Sequence, residues 1–171
     1  DWALGQFMRE ARKYDYHKNT IFIITGDHIS GFDLKPNDIP SRYHIPLLVV
    51  GPGVTPGFDD RTGSQLDIIP SIIDMGNWKT VHSSLGRSLF DDSAIDKRTN
   101  FSVNGNIIDM IQKKNWLSHN LHRKLDKYAK DNPDSIAQME QQIQATHQVI
   151  MKGMLENKIY RNPLQLSVNK L

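Results

Sequence analysis

Residues 20–28 read Thr-Ile-Phe-Ile-Ile-Thr-Gly-Asp-His, an apolar run closed by a glycine and followed by a carboxylate beside an imidazole. An oxygen donor next to a nitrogen donor begins a site for zinc, manganese or another borderline divalent ion, but two ligands do not fill a coordination sphere. Asp27 and His28 also admit an ordinary use, the aspartate capping the next turn and the histidine standing in solvent. Position favours chemistry. In an open parallel sheet, ligands gather outside the carboxyl ends of the strands, and an apolar run without polar alternation predicts a strand over 20–25 covered on both faces of such a sheet.

The elements that must hold this pair follow from periodicity. Leu4, Phe7, Met8, Ala11 and Tyr14 recur at helical spacing, with Arg9, Arg12 and Lys13 on the other side, so 2–14 is an amphipathic helix. Residues 29–42, with Gly31, Pro36 and Pro40, form a loop on the same side of the sheet as Asp27 and His28. A second strand spans 44–50, with Pro46 near its start or on an edge because proline has no ladder donor. Gly51-Pro52-Gly53 ends that strand as a turn, since it lacks the Lys-Ser/Thr of a phosphate-binding loop. Ser64 caps a helix over 64–76, Asp67 suits its positive end, and Leu66, Ile69, Ile72, Ile73 and Met75 form its buried stripe. Asn104-Gly105 between extended runs predicts a type I′ hairpin over 101–108. Residues 118–130 are read as helical, and so are 133–157, where Asn132 caps and Ile136, Met139, Ile143, Ile150 and Met154 share a face.

The 171 residues suffice for one well-buried core, or one core plus a small appendage. No apolar run approaches the length of a membrane span, and the absence of cysteine excludes disulfides and thiolate metal sites. Charge is uneven: residues 1–96 hold 9 Lys/Arg against 13 Asp/Glu, and residues 97–171 hold 12 against 6. The basic end could face an anionic surface such as lipid head groups, although a solvated helix face is the more usual reason for such a run. Aromatic residues do not alternate with the basic ones as a base-stacking platform needs, so no nucleic-acid binding is expected.

Four blocks taken in order resemble the sulfatase branch of the alkaline phosphatase superfamily. They are 20–28, then Tyr43-His44-Ile45-Pro46-Leu47-Leu48-Val49-Val50-Gly51-Pro52-Gly53, then Ser64-Gln65-Leu66-Asp67-Ile68-Ile69-Pro70-Ser71, and Gly86-Arg87-Ser88-Leu89-Phe90. The opening Asp1-Trp2-Ala3-Leu4-Gly5 and the Asn104-Gly105 hairpin are most similar to the lipoteichoic acid synthase-like, phosphoglycerol transferase group. The resemblance covers residues 1 to about 115. It implies that Asp27 and His28 complete a metal site whose other ligands, an acidic residue and a nucleophilic threonine, belong to an N-terminal half absent from these residues. The metal implied is divalent, manganese first, with zinc or calcium as alternatives. The reaction implied is attack of that threonine on the phosphorus of an anionic phospholipid head group, with a covalent phosphothreonine intermediate. The implied setting is the extracytoplasmic or periplasmic face of the cell membrane, reached through an N-terminal anchor outside this chain. The partner expected is therefore the N-terminal half of the same protein, and the chain alone is expected to be inert.

The fold expected is α/β, a partial alkaline phosphatase-like sheet with flanking helices, a small antiparallel hairpin subdomain and a C-terminal helical extension. The divisions expected are 1–96, 97–117 and 118–171. His44 precedes its strand, so it contacts substrate or supports the metal ligands only if its loop folds back. Asp67 and Arg87 are assigned to helix capping and surface pairing. Thr25 and Ser30 could orient the ligand pair through hydrogen bonds. His119 and His122, three apart on the expected helix, have metal-binding spacing without other support. Asn100-Phe101-Ser102 has the form of a glycosylation acceptor. Two alternatives to the phosphotransferase remain open: a sulfuric ester hydrolase of the same superfamily, and a non-catalytic module that binds a partner through its basic end.

Overall fold

The computed structural model describes residues 1–29, 38–93, 98–130 and 134–159. The chain divides into two compact units, Asp1–Asp60 and Arg61–Leu171. The first holds helix α1 (Trp2–Ala11), a 3₁₀ turn (Asp15–Asn19), strand β1 (Phe22–Thr25), a second 3₁₀ turn (Pro40–Tyr43) and strand β2 (Leu47–Val50). The apolar face of α1 meets the strand through Phe7, whose ring stands edge-on to Phe22 at 5.9 Å, and Ala11 is buried at the end of the helix. An edge-to-face pair of this kind adds about 0.5–1.5 kcal/mol to the area it buries.

The parallel arrangement expected for these strands is corrected: β1 and β2 are antiparallel, with Phe22 opposite Val50 and Thr25 opposite Leu47. Parallel neighbours need a crossover, usually a helix, and between Thr25 and Leu47 the described residues contain only the 3₁₀ turn Pro40–Tyr43. Coverage on both faces is corrected as well, because Leu47, Leu48 and Val50 are exposed and β1 is at most half-buried. A two-stranded ribbon cannot cover its own faces.

The second unit begins with a 3₁₀ turn (Gln65–Asp67) that runs into helix α2 (Ile68–Met75). Ser64 caps as expected, and with Asp67 it forms a full capping box, the Asp67 carboxylate accepting the Ser64 backbone N–H at 2.8 Å. That carboxylate is buried and also accepts the Arg87 backbone N–H at 2.8 Å, so it ties the start of α2 to residues 86–88. The contact is close enough to demand glycine at 86, where a Cβ would stand 2.2 Å from the Leu66 carbonyl oxygen. Buried Ser71 extends the tie by donating to the Asp67 carbonyl at 2.7 Å and accepting the Leu89 N–H at 2.8 Å.

Beyond this knot lies a four-stranded antiparallel meander: β3 (Asn100–Asn104), β4 (Ile107–Gln112), β5 (Asn115–His119) and β6 (Lys124–Tyr128). The first hairpin forms where expected, but its turn is displaced by one residue. Asn104 pairs with Ile107, leaving Gly105 and Asn106 at the corner, and of the two only Gly105 has positive φ, at 60°. That is the type II′ pattern, which places glycine first.

The helix expected over 118–130 does not form; those residues complete β5, turn at 120–123 and make β6. Leu117, Leu121 and Leu125, four residues apart, imitate a helical stripe, whereas the true period is two: Leu117 and His119 face one way, Trp116 and Ser118 the other.

Helix α3 (Asp134–Leu155) packs on the sheet, its Ile136, Met139 and Ile143 meeting Ile108, Met110 and Leu117 in one buried cluster. The expected stripe is thus buried at its first three positions, while Met154 is exposed. The cap expected from Asn132 and Pro133 lies outside the described residues.

One polar group enters this core. His119 is fully buried; its Nδ1 accepts the Leu121 N–H at 2.9 Å, and its Nε2 faces Glu140 Oε1 of α3 at 3.1 Å. The other carboxylate oxygen of Glu140 accepts a hydrogen bond from Lys124 of β6. The Lys124 bond, joined by that of His119, holds the Glu140 carboxyl below the ordinary value of 4.5. A carboxyl depressed by folding stabilises the folded state above its unfolded value and loses that contribution as pH falls through its folded value. The stability gap between the parent chain and Glu140→Gln is therefore expected to be full at pH 7 and to close progressively below 4.5. Urea midpoints measured from pH 7 to pH 3 test this; a gap independent of pH contradicts it.

Candidate metal centre

β1 ends at Thr25, and Gly26 leads into an exposed turn that carries Asp27 and His28. The turn is organised by its own polar groups. The His28 backbone N–H donates to Asp27 Oδ1 at 2.8 Å, which fixes the carboxylate over the peptide that follows it. The His28 Nδ1 lies 2.7 Å from the Ile29 carbonyl oxygen, and a carbonyl only accepts, so Nδ1 carries the proton. The lone pair then belongs to Nε2, the tautomer that a backbone carbonyl commonly sets for a metal-binding histidine.

Nε2 stands 3.6 Å from Asp27 Oδ2, and both side chains are largely exposed, His28 at 79% and Asp27 at 89%. Two donors bound to one tetrahedral cation through bonds of about 2.1 Å are about 3.4 Å apart. The observed separation is close to that value, so a carboxylate oxygen and a ring nitrogen can share an ion with little movement. The hydrogen bond to the Ile29 carbonyl, and after it the negative charge of Asp27, raise the imidazole pKa above 6.5. Among the described residues no group of three or more His, Asp or Glu side chains is placed to hold a metal. A carboxylate oxygen and a ring nitrogen are half of a tetrahedral donor set.

Antiparallel pairing changes the position of His44. Because β2 runs opposite to β1, the residues that enter β2 lie at the same end of the ladder as those that leave β1, and no folding back of the loop is required. The Gly26 N–H donates to the Pro46 carbonyl at 3.4 Å, and the Thr25 hydroxyl donates to the same oxygen at 3.0 Å. Exposed His44 thus enters at the lip that carries Asp27 and His28. Thr25 bonds to Pro46 and not to the ligand pair, a role that sequence could suggest only through the missing N–H of a proline opposite it. Ser30 lies outside the described residues.

The remaining candidates are structural. Asp67 caps as expected, but it is buried, and it is the backbone of Arg87 that it binds. His119 and His122 share no helical face: the first is buried at the end of β5, and the second is exposed in the following turn. The Asn100 side-chain nitrogen, the atom a glycan would need, donates to the Gly63 carbonyl at 2.6 Å.

These features define a mixed α/β fold with antiparallel sheets and a C-terminal helix, and this fold is matched by a solved protein. A crystal structure of a protein in the alkaline phosphatase superfamily from Vibrio parahaemolyticus matches 94% of this chain and 41% of its own, with a TM-score of 0.74 at 21% identity. Residues 1–77 match the Sulfatase family, a span that contains Asp27, His28 and His44. Arylsulfatase K of Danio rerio is 31% identical over 98 residues, 52% of this chain and 18% of the arylsulfatase. The chain therefore spans less than half the length of either relative. Among the described residues no helix is long and apolar enough to cross a membrane.

Proposed function

We propose that this chain is the C-terminal part of a metal-dependent enzyme that transfers or cleaves a phosphoryl or sulfuryl ester, with Asp27 and His28 as two of its cation ligands. The observation that carries the reading is the 3.6 Å separation of His28 Nε2 and Asp27 Oδ2 in an open turn at the end of an apolar strand. The donor set suits manganese or zinc better than an all-oxygen ion. When bound, the cation would supply Lewis acidity, lowering the pKa of a nucleophilic hydroxyl and offsetting charge on the oxygens of the group transferred.

The work of this chain's residues is more limited. Asp27 offers an anionic oxygen whose orientation is set by the His28 N–H. His28 offers Nε2 because Ile29 holds the proton on Nδ1. In this reading His44, at the same lip, contacts the ester oxygens or supports the ligands. The nucleophile and the other ligands belong to the N-terminal half that the complete protein would provide.

Within this class we favour a phosphoglycerol transferase acting on anionic phospholipid through a phosphothreonine, anchored outside the cytoplasmic membrane by a segment beyond this chain. The opening block Asp1–Gly5 and the hairpin at Asn104-Gly105 support that choice. The likeness to arylsulfatase K favours a second reading, hydrolysis of a sulfate ester.

Assays of the complete protein separate them. Stripped by chelator and reloaded with Mn²⁺, it is offered vesicles of anionic phospholipid or an aryl sulfate. Metal-dependent release of the phosphorylated head group supports the transferase, and metal-dependent release of sulfate supports the alternative. Full activity after complete removal of metal would defeat both.

A further inference from the structure

We infer that Thr25 is a positioning residue for the candidate centre, its hydroxyl tying the two strands together where the turn that carries Asp27 and His28 begins. The inference rests on the reading of that pair as cation ligands. In an antiparallel ladder a hydrogen-bonded pair exchanges two bonds. At the Gly26–Pro46 pair one of them is impossible, because Pro46 has no N–H. What remains is the Gly26 N–H to the Pro46 carbonyl at 3.4 Å, longer than an ordinary bond. The Thr25 hydroxyl reaches the same carbonyl at 3.0 Å and replaces the missing bond with a better one; the Gly26 carbonyl, at 3.3 Å, is its weaker alternative acceptor.

A Cβ on Gly26 would stand 3.5 Å from that of Ile45, an ordinary contact, so Gly26 lies against the segment that enters β2. Beyond Gly26 the hydrogen bonds of His28 are local, to Asp27 and Ile29. The Thr25–Pro46 tie joins the residue that leaves β1 to the segment that enters β2 from His44, and through it the hydroxyl helps to place the proposed ligand pair. Ligands held before the ion arrives bind it more tightly than ligands that must be ordered by it.

The test compares Thr25→Val, which keeps the shape and removes the hydroxyl, with Thr25→Ser, which keeps the hydroxyl, both in the complete protein. Two quantities are read: hydrogen exchange at the Gly26 amide, and the Kd for Mn²⁺ alone. Thr25→Val is expected to speed Gly26 exchange and to raise the Kd about tenfold, the lower range of losses seen when groups supporting metal ligands are removed. Thr25→Ser is expected to stay near the parent in both. Unchanged exchange in Thr25→Val overturns the tie, and faster exchange with an unchanged Kd overturns the positioning role. Asp27→Ala serves as the reference: if it binds Mn²⁺ as the parent does, the cation reading fails by itself, while Gly26 exchange still judges the tie.

Discussion

Asp27→Ala in the complete protein is expected to abolish stoichiometric Mn²⁺ binding and to lower kcat/KM by more than about 100-fold. The size follows from the chemistry of the site. Removing groups that merely orient metal ligands costs about 10–100-fold in affinity or activity, so removing a ligand should exceed that range. Asp27 contributes twice, as an anionic donor and as the acceptor that holds the His28 peptide at 2.8 Å. Asp27→Asn keeps the acceptor and loses the charge, and an intermediate loss is expected of it. His28→Ala should resemble Asp27→Ala, whereas His44→Ala should retain the metal and act through KM. Proton and cation compete for Nε2. Because the neighbours of His28 raise its pKa, the affinity for the cation should begin to weaken once pH falls below that raised value. Metal analysis beside steady-state kinetics decides the matter; full metal content and turnover in both alanine variants would remove these residues from the centre.

The second large effect concerns stability. Asp67→Ala should cost the chain about 3 kcal/mol, the lower end of the range for breaking a buried ion pair. The carboxylate serves two backbone donors, Ser64 and Arg87, and lies 4.0 Å from Nη1 of Arg98, whose side chain is 3% exposed. Arg98 also donates to the carbonyls of Ser88 and Asp91, but neither carbonyl carries a full charge. Alanine at 67 would strand a buried guanidinium and two N–H groups together. In an Arg98→Met background the same substitution should cost less, with a coupling of about 1 kcal/mol or more, as expected for groups in one polar network. Urea unfolding of the four proteins of that cycle measures it. Equal costs in both backgrounds would mean that the guanidinium does not depend on Asp67.

Local signals were read well wherever one residue type dictates one geometry. Ser64 with Asp67 gave a capping box, glycine beside Asn104 gave a hairpin, and Ile136, Met139 and Ile143 gave the buried face of α3. Direction and partnership were harder to read. The apolar runs 22–25 and 47–50 do not say whether neighbours run parallel, and only the pairing of Thr25 with Leu47 brings His44 to the end of the ladder that carries Asp27 and His28. Three leucines at a spacing of four hid two strands. The three-residue spacing of His119 and His122 has metal-binding meaning only on a helix, and the true partner of His119, Glu140, lies 21 residues away on an element the sequence does not bring near. Asp27 and His28 were legible as a pair, yet the proton on Nδ1 depends on how the chain turns at Ile29.

The meander also bears on the order in which the chain assembles during synthesis. Every strand from β3 to β6 pairs with its neighbour in sequence, so each closure spans only a few residues. Joining β1 to β2 must instead bring together Thr25 and Pro46, 21 positions apart, which costs about 2 kcal/mol more in loop entropy than a two-residue corner. Low contact order folds quickly. The last-made sheet can thus close ahead of the first-made one, leaving the lip of the candidate centre to be completed after the scaffold downstream of it has set.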